Sequence, residues 1–281
     1  MILQVSNIQS NTTNEDGILG LGYLQGSKSL NNNLLFHTKL KPFFSYFIYE
    51  GQIGATITFG ALDTNKFAGP LLWTNIIAKN NVYSHWTIKV SKVLVYDIVV
   101  TDLNLMIDTG TSVSLFENEI ARSINSALNL TQIDEDSGLY GIQYQNGCHH
   151  LPIVSFMVNN QYLEFSPKDY IYRTVFNNSF YCISGFQGYG RDAMDMDGIH
   201  GIMGNILLQK YYTVFDIADH RIGWALADRR NFTNSSYSYN KYELGRSSNL
   251  ELIGNVFSSD GLSRMDSYIT VAGFFLTICQ F

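Results

Sequence analysis

Short runs in which apolar and polar residues alternate dominate this chain, and Gly, Asn and Asp residues separate them. The runs 53–59 and 86–90 alternate in this way, and 93–100 continues as a strand-like segment. Alternation with a period of two is typical of half-buried β-strands, because successive side chains of a strand point to opposite faces. The pattern therefore predicts a mainly β protein.

Two β-hairpins are predicted from pairs of such runs. One joins 153–158 to 162–165 through an Asn-Asn turn, and the other joins 213–217 to 221–226. Asn suits tight hairpin turns because it tolerates a positive φ.

Helical periodicity is confined to two places. The segment 117–129 carries Ile and Leu every fourth residue, with acidic residues in its first turn. Asn205 is expected to cap a short helix over 206–210. From 228 to 266 the chain is polar and rich in Ser, Asn and Tyr without a convincing period, so we expect an extension beyond the folded unit.

Composition excludes several classes of protein. The 281 residues are 46% hydrophobic and 14% aromatic, which argues against disorder. The 18 Lys and Arg against 24 Asp and Glu give a net charge of −6. A nucleic-acid or anionic-membrane surface needs clustered basic residues, so we expect no nucleic-acid partner.

The most informative chemistry lies in the segment 103–115. An apolar strand leads to Asp108, and Gly110 in the following turn permits close approach of the backbone. Thr109 and Thr111 supply hydroxyls that can hold the carboxylate in place. Asp-Thr-Gly alone is a weak signal, but the preceding strand and the following helix make it more specific.

This segment resembles the second active-site loop of pepsin-like aspartic endopeptidases. Four other segments resemble family elements in the family's order: the apolar-apolar-Gly element, the strand and turn at the lobe junction, the Trp strand, and the second apolar-apolar-Gly loop with its following strand. They lie at 16–22, 57–63, 86–88 and 201–216.

The resemblance implies a bilobal pepsin-like acid protease fold and the hydrolysis of peptide bonds. Family members hold two aspartates close together, one per lobe, so that the pair shares a proton and activates a water. Asp108 matches the aspartate of the C-terminal lobe. Thr109, Gly110 and Thr111 would support its carboxylate, and Ser112 would bind substrate. The expected substrate is a polypeptide, without cofactor or metal.

The family resemblance also pairs two of the three cysteines. Cys148 and Cys182 match the disulfide of the C-terminal lobe. His149 and His150 stand beside Cys148, but a metal cluster there would compete with the disulfide, so the disulfide is favoured.

The chain departs from the family at its N-terminal side. The family's other catalytic aspartate precedes the apolar-apolar-Gly element, which here begins at residue 16. We therefore expect Asp108 to lie in the single Asp-Thr-Gly or Asp-Ser-Gly match, so that one of the two catalytic aspartates is present in a truncated chain or fragment that is inactive by itself. Expected units are an N-terminal-lobe remnant (1–85), the C-terminal lobe (86–228), and an extension with a short apolar tail (229–281). The alternative is an inactive pseudoprotease that binds peptides.

The compartment signals conflict. Asn-x-Ser/Thr sequons favour a secreted glycoprotein, but the first residues do not resemble a signal peptide. The tail 268–279 weakly resembles a lipid-anchor signal, although a final strand or a frayed tail is the favoured interpretation. We expect the secretory pathway and an extracellular or lysosome- or vacuole-like acidic compartment. The sequons lie at Asn11, Asn129, Asn177, Asn231 and Asn234.

Overall fold

A computed structural model describes residues 20–23, 39–48, 55–143, 148, 150–176, 179–190 and 198–228, and the backbone of 270–271 and 274–275. The strands are β1 (Phe43–Ile48), β2 (Ala55–Phe59), β3 (Phe67–Asn75), β4 (Thr87–Val95), β5 (Asp97–Ile107), β6 (Ser114–Phe116), β7 (Thr131–Asp134), β8 (Leu139–Gln143), β9 (Val154–Val158), β10 (Gln161–Phe165), β11 (Ile171–Phe176), β12 (Ser179–Ser184), β13 (Phe186–Gly188), β14 (Gly201–Met203), β15 (Tyr211–Asp216), β16 (Arg221–Ala227), β17 (Thr270–Val271) and β18 (Phe274–Phe275). The helices are α1 (Asn118–Ala127), α2 (Pro167–Tyr170) and α3 (Asn205–Leu208).

A five-stranded antiparallel sheet joins two distant parts of the chain. Its strand order is β2-β1-β15-β16-β3, so strands from before residue 76 lie on both sides of the β15–β16 hairpin. In the register, Phe44 lies opposite Phe215 and Tyr46 lies opposite Thr213. Because paired residues of antiparallel strands share a face, these four side chains point to the same side of the sheet.

A seven-stranded sheet carries the loop that follows β5 and contains Asp108. Its order is β10-β9-β4-β5-β14-β6-β13. Most pairs are antiparallel, but β14 runs parallel to β5 and β13 runs parallel to β6. The parallel pair β5–β14 brings Ile107 opposite Met203, and the chain after each strand therefore leaves at the same end of the sheet.

A four-stranded sheet with the order β11-β12-β8-β7 lies beside the seven-stranded one. Cys182 of β12 is bonded to Cys148 in a disulfide whose Cα atoms are 6.3 Å apart. Both cysteines are buried.

Aromatic side chains connect the sheets through one buried core. Phe44 stacks on Phe215 at 4.7 Å, and Trp86 meets Phe215 edge-on at 5.0 Å between ring centroids. The Trp86 indole N–H donates to the carbonyl of Leu21 at 3.0 Å, which satisfies its buried polar atom. Fully burying each such ring stabilises the fold by roughly 2–3 kcal/mol.

Most of the predicted elements are present with shifted bounds. The predicted helix is α1, and the two predicted hairpins are β9–β10 and β15–β16. In the first hairpin, Asn159 and Asn160 have φ of 48° and 60°, as the Asn-Asn turn requires.

Two local predictions were wrong. The segment 93–100 is not one strand, because Tyr96 (φ 64°) turns the chain between β4 and β5. Asn205 does not cap a helix: Gly204 occupies the N-cap, and Asn205 is the first residue of α3. Its side chain is engaged elsewhere, as described below.

Several predictions concern residues outside the described ones. They include the sequons at Asn11, Asn177, Asn231 and Asn234, most of the apolar-apolar-Gly element at 16–22, and the extension after residue 228. The tail 268–279 is described only by the backbone of β17 and β18, which pair antiparallel. The boundaries at 85 and 228 stay predictions.

Candidate active site

The β5 strand delivers Asp108 to the centre of the described fold. β5 lies between β4 and β14, and its last residues, Leu105 to Ile107, are buried. The backbone N–H of Asp108 donates to the carbonyl of Met203 at the end of β14, at 3.1 Å. The parallel pairing thus continues one residue beyond the strand and fixes the position of the Asp108 backbone.

Both oxygens of the Asp108 carboxylate accept hydrogen bonds from its own loop. The backbone N–H of Gly110 donates to Oδ1 at 2.9 Å. The hydroxyl of Thr111 donates to Oδ2 at 2.6 Å. Two donors at opposite oxygens fix the plane of the carboxylate.

Burial dominates the electrostatics of Asp108. The residue is only 7% exposed, and this loss of hydration raises the pKa of its carboxyl from 3.8 to about 6. The bonds from Thr111 and Gly110 act in the opposite direction, because they stabilise the charged form, but they are outweighed. A carboxyl group tuned in this way exchanges its proton in mildly acidic solution, which is what acid–base catalysis requires.

The short helix α3 holds the loop from the other side. The backbone N–H groups of Asn205 and Ile206 donate to the carbonyls of Thr111 (2.7 Å) and Ser112 (2.8 Å). The side chain of Asn205 donates through Nδ2 to the carbonyl of Thr109, also at 2.7 Å.

The sequence-predicted loop residues therefore meet in one place, with different roles. Thr109 is fully buried and contributes its carbonyl to the bond with Asn205. Ser112, the expected substrate-binding residue, is exposed beside the loop. Its contact with a substrate remains a prediction.

A tyrosine that sequence reasoning missed lies against this loop. Tyr46 of β1 is fully buried, and its hydroxyl donates to Oδ1 of Asn205 at 3.1 Å. Burial, and next the charge of Asp108, hold the pKa of Tyr46 well above its usual value. No local pattern around residue 46 marks it, since its position depends on strand pairing between residues far apart in the sequence.

The Asp108 loop lies within a long segment that matches a known protein family. The family model described as "Eukaryotic aspartyl protease" matches residues 2–227. The chain belongs to this family. The match begins upstream of residue 16, so the resemblance extends further towards the N-terminus than the sequence motifs indicate.

Characterised relatives of this aspartyl protease chain include cathepsin E of Rattus norvegicus and chymosin of Camelus dromedarius. Each is 29% identical over 223 residues, which are 75% of this chain and 54% or 53% of the relative. Gastricsin of Macaca fuscata fuscata is 25% identical, over 75% of this chain and 56% of the relative. The chain thus spans about half the length of these relatives.

A solved structure supports the fold. The aspartic proteinase from Irpex lacteus aligns with a TM-score of 0.64 and 20% identity, covering 82% of this chain and 72% of that one. The mainly β, pepsin-like fold is therefore confirmed. Among the described residues, no helix is both long and apolar enough to cross a membrane.

The prediction of a single Asp-Thr-Gly or Asp-Ser-Gly tripeptide in this chain is wrong. Asp136-Ser137-Gly138 also fits the Asp-Ser-Gly pattern. It forms the turn between β7 and β8 in the four-stranded sheet, where Ser137 and Gly138 are buried and Ser137 Oγ donates to Asp134 Oδ2 at 2.7 Å. Asp136 itself is exposed, and its sheet is not the one that delivers Asp108.

Among the residues that the structure describes, no group of three His, Cys, Asp or Glu side chains is placed so that it could hold a metal ion. Cys148 is bonded to Cys182 instead, and His149 lies outside the described residues.

Proposed function

We propose that this chain supplies one half of the catalytic centre of an aspartic endopeptidase, with Asp108 as one of two catalytic aspartates. The observation that carries the proposal is the buried Asp108 carboxylate, held by Gly110 and Thr111 in a chain that belongs to the aspartyl protease family. A second carboxylate beside it would share a proton with it and complete the acid–base pair.

In the proposed reaction, one ionised carboxylate of the pair takes a proton from a water molecule, which attacks the carbonyl carbon of the peptide bond. The protonated partner gives its proton to the carbonyl oxygen, which forms a tetrahedral diol. The carboxyl that took the water proton then gives it to the amide nitrogen, the C–N bond breaks, and the other carboxylate takes a proton from the diol as the acid product forms. Thr109, Gly110 and Thr111 would keep the Asp108 carboxyl in place, and Ser112 would contact the peptide backbone. No cofactor or metal takes part in this scheme.

The substrate proposed is a polypeptide. Tyr172, Tyr189 and Ile199 are half-buried and pack against an apolar cluster that contains Val113 and Leu115, the residues following the Asp108 loop. Such partly exposed apolar side chains beside a carboxylate suit the side chains of a bound peptide. Cathepsin E, chymosin and gastricsin are relatives of this chain at 25–29% identity, which is consistent with a polypeptide substrate.

The second aspartate is the decisive test. Because the family's other aspartate precedes the apolar-apolar-Gly element, we expect a further Asp-Thr-Gly or Asp-Ser-Gly in the coding sequence upstream of Met1. Its absence from the transcript would contradict the endopeptidase proposal.

Activity gives the matching functional test. In the protein encoded by the full transcript, Asp108→Asn should lower kcat/KM for an acid-denatured protein substrate by about 10³-fold or more. Asp136→Asn is the control, because it changes the exposed aspartate of the other tripeptide, and it should leave kcat/KM unchanged. Equal activity of the wild type and Asp108→Asn would overturn the proposal.

The alternative is a catalytically inactive pseudoprotease that binds peptides. It is favoured by the finding that the described residues place one carboxylate, Asp108, in this loop. Under this alternative, purified 1–281 binds a peptide in a calorimetric titration but cleaves no substrate at any pH. Acid-dependent proteolysis by purified 1–281 would rule it out.

We further propose that the protein enters the secretory pathway and reaches an acidic compartment. Asn129 of the sequon Asn129-Leu130-Thr131 is exposed just after α1, with a φ of 56°. When the protein is expressed in eukaryotic cells with a secretory leader, we expect an endoglycosidase-sensitive mass that decreases by one glycan in Asn129→Gln. No mass change in that variant would contradict glycosylation at this site.

A further inference from the structure

A chain of hydrogen bonds runs from the five-stranded sheet to the Asp108 carboxylate. The Tyr46 hydroxyl donates to Asn205 Oδ1 at 3.1 Å, and Asn205 Nδ2 donates to the Thr109 carbonyl at 2.7 Å. The peptide group that contains the Thr109 carbonyl also contains the N–H of Gly110. That N–H donates to Asp108 Oδ1 at 2.9 Å.

The two intermediate groups are both amides. A hydrogen bond accepted by an amide oxygen polarises the group and makes its N–H a better donor, so bonds in series strengthen one another. The Asn205 side-chain amide and the Thr109–Gly110 peptide are arranged in this sense, with each oxygen accepting and each N–H donating onward. The direction is uniform from the Tyr46 hydroxyl to the carboxylate.

The residues at both ends of this hydrogen-bond chain are buried. Tyr46 and Thr109 are fully buried, and Asp108 is 7% exposed. Asn205 between them is half-buried, so water is excluded mainly at the two ends of the hydrogen-bond chain, where a hydrogen bond is stronger than at the surface. The titratable side chain that β1 presents to Asp108 is Tyr46, while β14 and α3 present the Met203 carbonyl and the Asn205 amide.

We propose that Tyr46 is a positioning residue for Asp108, acting through Asn205 and the Thr109–Gly110 peptide to orient the carboxylate and stabilise its ionised form. The relevance to catalysis rests on the proposed role of Asp108 in the endopeptidase. The relay itself can be measured in the chain 1–281 without any catalytic activity, so failure of either idea is recognised separately.

The test is an NMR titration of the Asp108 carboxyl carbon in selectively ¹³C-labelled 1–281. Removing the first donor in Tyr46→Phe should raise the pKa of Asp108, because a weaker donor stabilises the charged form less. The expected rise is about 0.3 of a pKa unit, if each bond in series strengthens the next by 10–30%. Asn205→Ala, which breaks the relay nearer to the carboxylate, should raise the pKa of Asp108 at least as much.

Tyr212→Phe is the matched control. Tyr212 is also buried, on the neighbouring strand β15, and it also loses a hydroxyl that donates at 2.6 Å, to Ser45. It packs in the cluster on the opposite face of the sheet, with Phe47 and Val214. Its loss should destabilise the protein to a similar degree but leave the pKa of Asp108 unchanged.

The double variant Tyr46→Phe with Asn205→Ala separates a relay from two independent effects. If both residues act in series, its pKa shift should not exceed that of Asn205→Ala alone. Additive shifts, an equal shift in Tyr212→Phe, or an unchanged pKa of Asp108 in Tyr46→Phe would each overturn the proposal.

Discussion

Asp108 combines burial with a carboxyl group that must ionise, and this combination has a consequence for stability. Desolvation raises the pKa of Asp108 to about 6 in the folded protein, from its ordinary 3.8. The folded state therefore favours the protonated form more than the unfolded state does. The protonated Asp108 carboxyl therefore contributes to the stability of the folded state fully below pH 3.8, and this contribution is lost as the pH rises through about 6.

We expect this loss to amount to about 3 kcal/mol of the free energy of unfolding, since each pKa unit corresponds to about 1.4 kcal/mol. Asp108→Asn, which cannot ionise, should be close to wild type in stability at pH 3.5 and more stable at pH 7.5. Urea unfolding of both proteins at several pH values measures the difference. Parallel stability curves would show that Asp108 does not titrate in this range.

At the residue scale, the sequence indicates contacts that are local and misses those that are not. Asp108, Gly110 and Thr111 form a contiguous motif, and hydrogen bonds join them in the structure, while their catalytic roles stay predictions. Tyr46 reaches the same loop because its strand, β1, pairs with β15. β15 lies far from residue 46 in the sequence, so the residues around Tyr46 do not indicate this pairing. Asp136-Ser137-Gly138 shows the converse, because the same residue types form an ordinary hairpin turn elsewhere.

At the level of elements, α3 and β14 determine where the loop lies. The turn between them is compact: a Cβ at Gly204 would lie 2.0 Å from the carbonyl oxygen of Val113 and 2.5 Å from that of Thr111. Both are backbone atoms, so a side chain there cannot be accommodated by a change of rotamer. The Gly204 position is thus defined by close approach to the Asp108 loop.

Gly204→Ala should therefore destabilise the protein by several kcal/mol, beyond the usual ~1–3 kcal/mol of an overpacked site. Gly69→Ala is the control: its φ is +80°, but a Cβ there meets nothing within 4 Å, so only the left-handed backbone costs energy, about 1–2 kcal/mol. Denaturant midpoints of both variants test this. Similar losses in the two would contradict a steric constraint at Gly204.

The sequence predicts the hairpins well because each is a local pattern with its own turn. Asn159 and Asn160 both adopt the positive φ that their residue type tolerates. The parallel pairings β5–β14 and β6–β13 are different, since they join segments separated by many residues and leave no periodic signal that identifies the partner. Asn205 was expected at a cap because its type favours caps, whereas its side chain is used in a tertiary contact.

At the scale of the whole molecule, the disulfide joins the four-stranded sheet to the segment that precedes β9. Cys148 and Cys182 are separated by 34 residues in sequence. A cross-link that closes a loop of this size stabilises by about 3–4 kcal/mol, through the lost freedom of the unfolded chain.

Replacing both cysteines by Ala should lower the free energy of unfolding by about that amount and leave the fold intact. The same loss should follow when the wild type is measured with a reductant. If the reductant has no effect on the wild type, the bond is absent in solution and the prediction is wrong.

The five-stranded sheet has a consequence for the order in which the chain is made. Phe43 of β1 pairs with Asp216 of β15, about 170 residues later. At 5–20 residues per second, a ribosome needs roughly 10–35 s to deliver the second partner after the first. During that interval the edge of β1 that later pairs with β15 has no native neighbour, so the growing polypeptide exposes an unpaired strand edge. Such an edge can pair with other chains and aggregate, and chaperones bind chains in this state.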